Sequence, residues 1–162
     1  MHSRLFVISG NEKVVSNITE DQLIDNGFCE RIADYVNEIN DKEQKENDIK
    51  DWLFINLKTT FNDYIELDKE KLSFKLKKGA VKYFLDKKFK KLKELLEEKP
   101  EETIDMRSKL FQLYETIKDE FGFYFATSED NYVYWYCSDD FLELEYNEEK
   151  TYYITQVFDY HF

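Results

Sequence analysis

The chain has one proline, Pro100, and four glycines, Gly10, Gly27, Gly79 and Gly122. So few chain breakers predict long regular elements and few irregular loops. Two cysteines, Cys29 and Cys137, are too few for a disulfide framework; in a reducing compartment both are expected as free thiols. With His2 and His161 they are the only soft metal ligands, at scattered positions, whereas zinc needs three or four ligands together. No cofactor and no metal is expected. Nothing approaches the roughly 18 consecutive apolar residues of a membrane span. The apolar run Leu5-Phe6-Val7-Ile8 is too short for a signal peptide, so the expectation is a cytoplasmic protein with no membrane partner.

The motifs of common chemistries are also missing. There is no Gly-x-Ser-x-Gly elbow, no glycine-rich phosphate loop and no His-Glu-x-x-His. A Cys–His arrangement would need His2 or His161, each at a chain end where side chains tend to be mobile. Asp68-Lys69-Glu70-Lys71 can be matched to a nuclease-like pattern, but short matches are cheap in a chain this charged.

What the chain does have is charge and aromatic bulk. Its 162 residues are 42% apolar, 36% charged and 17% aromatic. That composition suits one globular domain, which at this length buries roughly 70% of its unfolded surface. Lys+Arg 23 against Asp+Glu 35 gives a net charge of −12, unevenly spread. Residues 1–68 carry 7 basic and 15 acidic side chains, residues 69–93 carry 11 and 2, and residues 94–162 carry 5 and 18. An acidic chain repels nucleic acid and anionic lipid over most of its surface, and its long-range field favours cationic partners. Only Arg4, Arg31 and Arg107 are arginines, the residue that bidentate phosphate recognition prefers, so nucleic acid is disfavoured further.

Leu5 to Ile8 reads as a buried strand ending in the turn residues Ser9-Gly10-Asn11. Thr19-Glu20-Asp21-Gln22 is a capping box, so a helix should follow Thr19 and stop at Asn26-Gly27. Phe28, Ile32, Tyr35, Val36 and Ile39 recur at helical spacing and predict a second helix. The polar stretch Asn40 to Asn47 reads as a loop. Asp48 is placed as the cap of a third helix with Ile49, Trp52, Leu53 and Leu57 as its buried stripe. Ile65 and Leu67, then Leu72, Phe74 and Leu76, alternate with polar residues as in a β-hairpin. Val81, Phe84, Leu85, Phe89, Leu92, Leu95 and Leu96 mark the clearest helix, ending near Pro100. Another carries Ile104, Leu110, Leu113, Tyr114, Ile117 and Phe121, closed by Gly122. The last forty residues read as sheet: Phe123 to Thr127, a loop at Ser128 to Asn131, Tyr132 to Cys137, and a final strand from Tyr152 to Phe158. The expected fold is therefore α+β, one domain spanning 1–162. Four to five helices pack on an antiparallel or mixed sheet with an aromatic-rich C-terminal β-hairpin.

Three features could carry function. The C-terminal hairpin would hold Phe123, Phe125, Tyr132, Tyr134 and Tyr136 on one face and Tyr124, Ala126, Val133, Trp135 and Cys137 on the other. Neither face is hydrophilic, so helices cover both or one is left for a partner. Tyrosine suits a contact surface, with large area at low rotamer cost and a polar tip. Beside it, Asp139, Asp140, Glu143 and Glu145 have the residue types of a cation site but not the order of a calcium loop. The third feature is the lysine-rich segment Lys69 to Lys93, which reads as a solvated helix face or a basic amphipathic helix. Together these predict a non-enzymatic, acidic protein-binding module with Tyr132, Tyr134, Tyr136, Asp139, Asp140, Glu143 and Glu145 as its partner-binding residues. Its most concrete form is an inhibitor of a basic nucleic-acid-acting protein, in the manner of an immunity protein or an anti-defence, anti-CRISPR-like factor. The alternatives are a small carboxylate- or metal-dependent enzyme and a homo-oligomer that hides the tyrosine face.

Overall fold

A computed structural model describes residues 2–12, 17–97, 103–118, 124–129, 132–136, 144 and 150–161, with the backbone alone for 103, 104, 118, 128, 129 and 132–136. The centre is a seven-stranded mixed sheet. Strand β1 (His2–Ser9) lies between β7 (Tyr152–His161), which runs antiparallel to it, and β5 (Tyr124–Glu129), which runs parallel. Beyond β5 comes β6 (Tyr132–Tyr136), and beyond β7 comes the hairpin β3 (Ile65–Asp68) and β4 (Ser73–Leu76). The ten residues of β7 are long enough to meet β4 at Tyr152–Tyr153 and a short strand, β2 (Tyr35–Glu38), at 158–161. The fold class is α+β, with every strand pair but one antiparallel.

Helices cover both faces. On one face, α1 (Glu20–Asp25) and α2 (Phe28–Arg31) close over Leu5, Val7, Val36, Ala126, Phe158 and Tyr160. The Thr19 capping box forms in full, its side chain accepting from the Gln22 backbone N–H while Gln22 accepts from that of Thr19. Gly27 follows at φ +84°, a left-handed turn that a Cβ would strain. On the other face, one helical run carries α3 (Lys42–Asp51), a π-helical stretch (Trp52–Leu57) and α4 (Lys58–Phe61). Ile49, Leu53, Leu57 and Phe61 repeat strictly every four residues, and all are buried. Such a stripe drifts off one face of a helix with 3.6 residues per turn, and the wider i→i+5 turns bring it back onto the sheet. Trp52 stacks on Phe6 with ring centroids 4.3 Å apart and meets Phe74 edge-on. Next come α5 (Ala80–Glu97) and α6 (Thr103–Lys118).

Several expectations are corrected. The helix expected from Phe28 to Ile39 ends at Arg31, and Tyr35 to Glu38 is strand because β7 offers its free edge there. The loop expected at Asn40 to Asn47 is helix α3, capped by Asp41, whose side chain accepts from the Gln44 N–H. Asp48 is therefore mid-helix. The β5–β6 register is two residues tighter than expected, pairing Glu129 with Tyr132 and Phe125 with Tyr136, so Ser128 and Glu129 are strand and not loop. A shift of two preserves faces, and Tyr132, Tyr134 and Tyr136 still share a face with Phe125. The final strand runs on to His161.

Candidate functional site

Of the residues expected to bind a partner, Tyr132, Tyr134 and Tyr136 occupy the last strand of the sheet, at register positions on the face of Phe6 and Phe125. Asp139, Asp140, Glu143 and Glu145 lie outside the described residues. Leu144, between them, is half-buried against the larger core cluster. Cys29 is partly buried, and burial pushes its thiol above the usual range, the opposite of nucleophile activation. Among the described residues no group of three or more His, Cys, Asp or Glu could hold a metal ion, and no helix is long and apolar enough to cross a membrane.

Sequence reasoning set the histidines aside as chain-end residues, but the fold brings them together. His2 and His161 are cross-strand partners on β1 and β7, with Tyr35 next in the row on β2. Their rings lie 5.4 Å apart, and Tyr35 stacks on His161. His2 Nδ1 is 2.9 Å from Asp159, and His161 Nδ1 is 3.2 Å from Asp34. Arg4 donates to Asp48 on α3 at 2.7 Å and also to Asp159. The adjoining open groove, about 330 Å³, is walled by Arg4, Asp48, Asp51, Trp52 and Asn56. Arg4 is already shared by two carboxylates and His2, which also lines the groove, faces Asp159, so among the described residues the groove offers an anion no free cation. This cluster ties β1, β7 and α3 together, as an ion-pair clamp does. A second open groove, about 450 Å³, mixes Glu66 and Asp68 with Lys71 and Lys75 and selects neither sign of ligand.

The surface without a structural explanation is the α5–α6 pair. The start of α5 belongs to the core, with Ala80 and Phe84 buried. Beyond Phe84 the helix leaves the sheet and packs on α6. The five residues between the helices reach about 20 Å at most, too short to return along a 16-residue helix of about 24 Å, so α5 and α6 run antiparallel. On α5, Leu85, Phe89 and Leu96 are 38%, 67% and 67% exposed. On α6, Met106, Leu110, Phe111, Tyr114 and Ile117 are all more than half exposed. The buried contact of α6 is made instead by Thr116, with Leu113 and Lys109 half-buried. Lys109 Nζ is enclosed and has no hydrogen-bond partner among the described residues, a costly state for an ammonium.

Viewed down α5 at 100° per residue, Lys82, Lys88 and Lys93 flank the open apolar line with Asp86 beside Lys93, while Lys87, Lys90 and Lys91 share the far side with Glu94 and Glu97. Lys82 holds Asp86 and Lys93 holds Glu97 in i,i+4 pairs. The periodicity of α5 and α6 was legible in the sequence. That periodicity marks an apolar stripe without saying what covers it, so the exposure could not be read there. Exposed apolar surfaces of this extent, rimmed by polar groups, occur at protein, membrane and ligand contact sites. The fold and this surface together define an α+β domain with an exposed apolar helical face. No protein-family model, curated protein or solved structure matches the chain.

Proposed function

We propose that this is a non-enzymatic protein-binding module that docks through the exposed face of α5 and α6. The observation that carries the reading is the concentration of eight large exposed apolar side chains on one helical hairpin, Leu85 to Ile117, against a well-filled core elsewhere. Interfaces are built around such apolar and aromatic centres with a polar rim. The test is a pair of baits, the parent and a Phe89→Glu/Leu110→Glu variant, presented to the same cell extract. A protein that docks here is held by the parent and reduced about 10-fold or more on the variant. Equal retention on both baits would mean that the hairpin is not the docking face.

A second reading is favoured by the charge. α5 and α6 together hold nine basic and five acidic side chains, so the remaining residues carry a net −16. Such a body would steer a basic partner, in keeping with an inhibitor of a nucleic-acid-acting protein. Neutralising Asp139, Asp140, Glu143 and Glu145 together is expected to slow association with that partner and flatten its salt dependence. An unchanged on-rate would reduce the acidic stretch to a solvated surface.

A further inference from the structure

The docking face has the pattern and the area of an interface between two copies of the chain. Leu85, Phe89, Leu92 and Leu96 are spaced four, three and four. Met106, Leu110, Leu113 and Ile117 repeat the same spacing on α6. Alternating three and four keeps apolar side chains in one line against a second helix crossing at a shallow angle, as in coiled coils and four-helix bundles. Within one copy the two lines do not face each other: Leu92 and Leu113 are half-buried, while the other members stand open. Leaving out Phe111, which falls well round α6 from this line, the exposed side chains offer on the order of 800 Å² of apolar surface, close to what one partner buries in a specific interface.

We infer that two copies pair through their α5–α6 hairpins to close a four-helix bundle. The inference rests on the reading of this face as a docking surface and names its occupant. A two-fold axis brings the same patch to both sides, so the matching lines already present in one copy suffice. The lysine stems lie along the apolar edge with their heads in water, as at the flanks of coiled coils. An anionic bilayer would also suit a basic amphipathic face, but the net charge of −12 opposes its approach. Both the acidic bodies and the lysine rims repel their copies, and salt screens that repulsion. Association should therefore tighten with salt, the reverse of pairing by opposite charges.

The experiment is light scattering on the parent at about 50 μM, in low salt and in about 0.5 M salt. It is repeated on Phe89→Glu/Leu110→Glu and on Ile55→Glu, with circular dichroism to show that each is folded. Ile55 is 59% exposed and lies off the hairpin. The expected result is twice the 19.7 kDa chain mass for parent and Ile55→Glu, with a smaller dissociation constant in high salt. The double variant should be a monomer, its self-association weakened roughly 100-fold or more. A monomeric parent at both salts overturns the dimer, as does a double variant that still dimerises. A fluorescent apolar-surface dye separates that failure from failure of the docking face itself. A monomeric parent that binds the dye more than the variant does keeps the face and assigns it to a foreign partner. Equal dye binding removes both.

Discussion

The sheet with its α3–α4 cover and the α5–α6 hairpin are built from the same kinds of residue and put them to different use. In the first, Trp52, Leu53, Leu57 and Phe61 all reach the core, and the π-helical turns at Trp52–Leu57 adjust the helix so that they do. In the second, a stripe at least as apolar leaves Phe89, Leu96, Leu110 and Phe111 about two-thirds exposed. Amphipathic periodicity states that a face needs covering. It does not state whether the same chain provides the cover. In the body, the buried Gln156 side chain accepts from the Ile18 N–H and donates to the Ile18 carbonyl and to Glu38; in the hairpin, Lys109 Nζ is enclosed without a hydrogen-bond partner among the described residues.

The sharpest way to break this comparison is to shorten one large side chain in each region. Trp52→Ala should cost about 3–5 kcal/mol, because the cavity opens between Phe6 and Phe74 in a filled core. Phe89→Ala should cost the monomer no more than about 0.5 kcal/mol. Urea denaturation in conditions that keep the chain monomeric measures both. If the two losses are alike, the hairpin face is covered within one copy and the contrast collapses.

Polar satisfaction gives the next two effects, of opposite sign. Gln156→Ala leaves the Ile18 N–H and C=O without their partner at a buried site, at a cost of about 2–4 kcal/mol. Lys109→Met keeps the length of the side chain and removes the enclosed ammonium, so stability should rise by about 1 kcal/mol. Thermal unfolding reads both. A destabilised Lys109→Met would show that the ammonium is satisfied in solution.

How far the sequence disclosed these regions follows from what each signal depends on. β1, the Thr19 capping box, the β3–β4 hairpin and α5 were legible because each is specified locally, by an apolar run, a cap, an alternation or a long period. β2 was misread because Phe28, Ile32, Tyr35, Val36 and Ile39 fit a helical spacing, while the edge of β7 that makes Tyr35–Glu38 a strand lies more than a hundred residues away. α3 was misread because Lys42 to Asp48 is charged and polar, leaving no stripe to see. The local signal is Asp41 with Gln44 three residues on, a weaker mark than the apolar stripe that follows Asp48. Of the candidate site, the stripes were legible and their exposure was not. The pairing of His2 with His161 was hidden for the same reason as β2, since only the sheet register creates it.

The smallest expected effects come from one i,i+4 ion pair in each region, and pH separates them. On α3, the hydrogen bond and charge of Lys50 hold the Glu46 carboxyl below its usual range. A lowered folded value stabilises above the unfolded carboxylate range, and the contribution is lost as pH falls through and below about 4.5. On α5, the hydrogen bond and charge of Asp86 raise Lys82. A raised folded value stabilises below the unfolded ammonium range, and the contribution is lost as pH climbs past 10.5. An ion pair is lost when either partner is neutralised, so Glu46→Gln, which removes the titrating carboxylate, should flatten the acid limb of the stability curve, and Lys82→Gln, which removes the titrating ammonium, should flatten the alkaline limb. Both groups are open to solvent, Lys82 more than Glu46, so salt should shrink both effects. The acid-limb effect should be the larger, because glutamate preceding lysine by four residues is the favourable order along a helix and Lys82-Asp86 is the unfavourable one. If Lys82→Gln alters the acid limb even where Asp86 is already replaced by Asn, Lys82 contacts carboxylates other than Asp86, and the lysine rim of the hairpin is engaged by acidic groups of the chain itself or of a second copy.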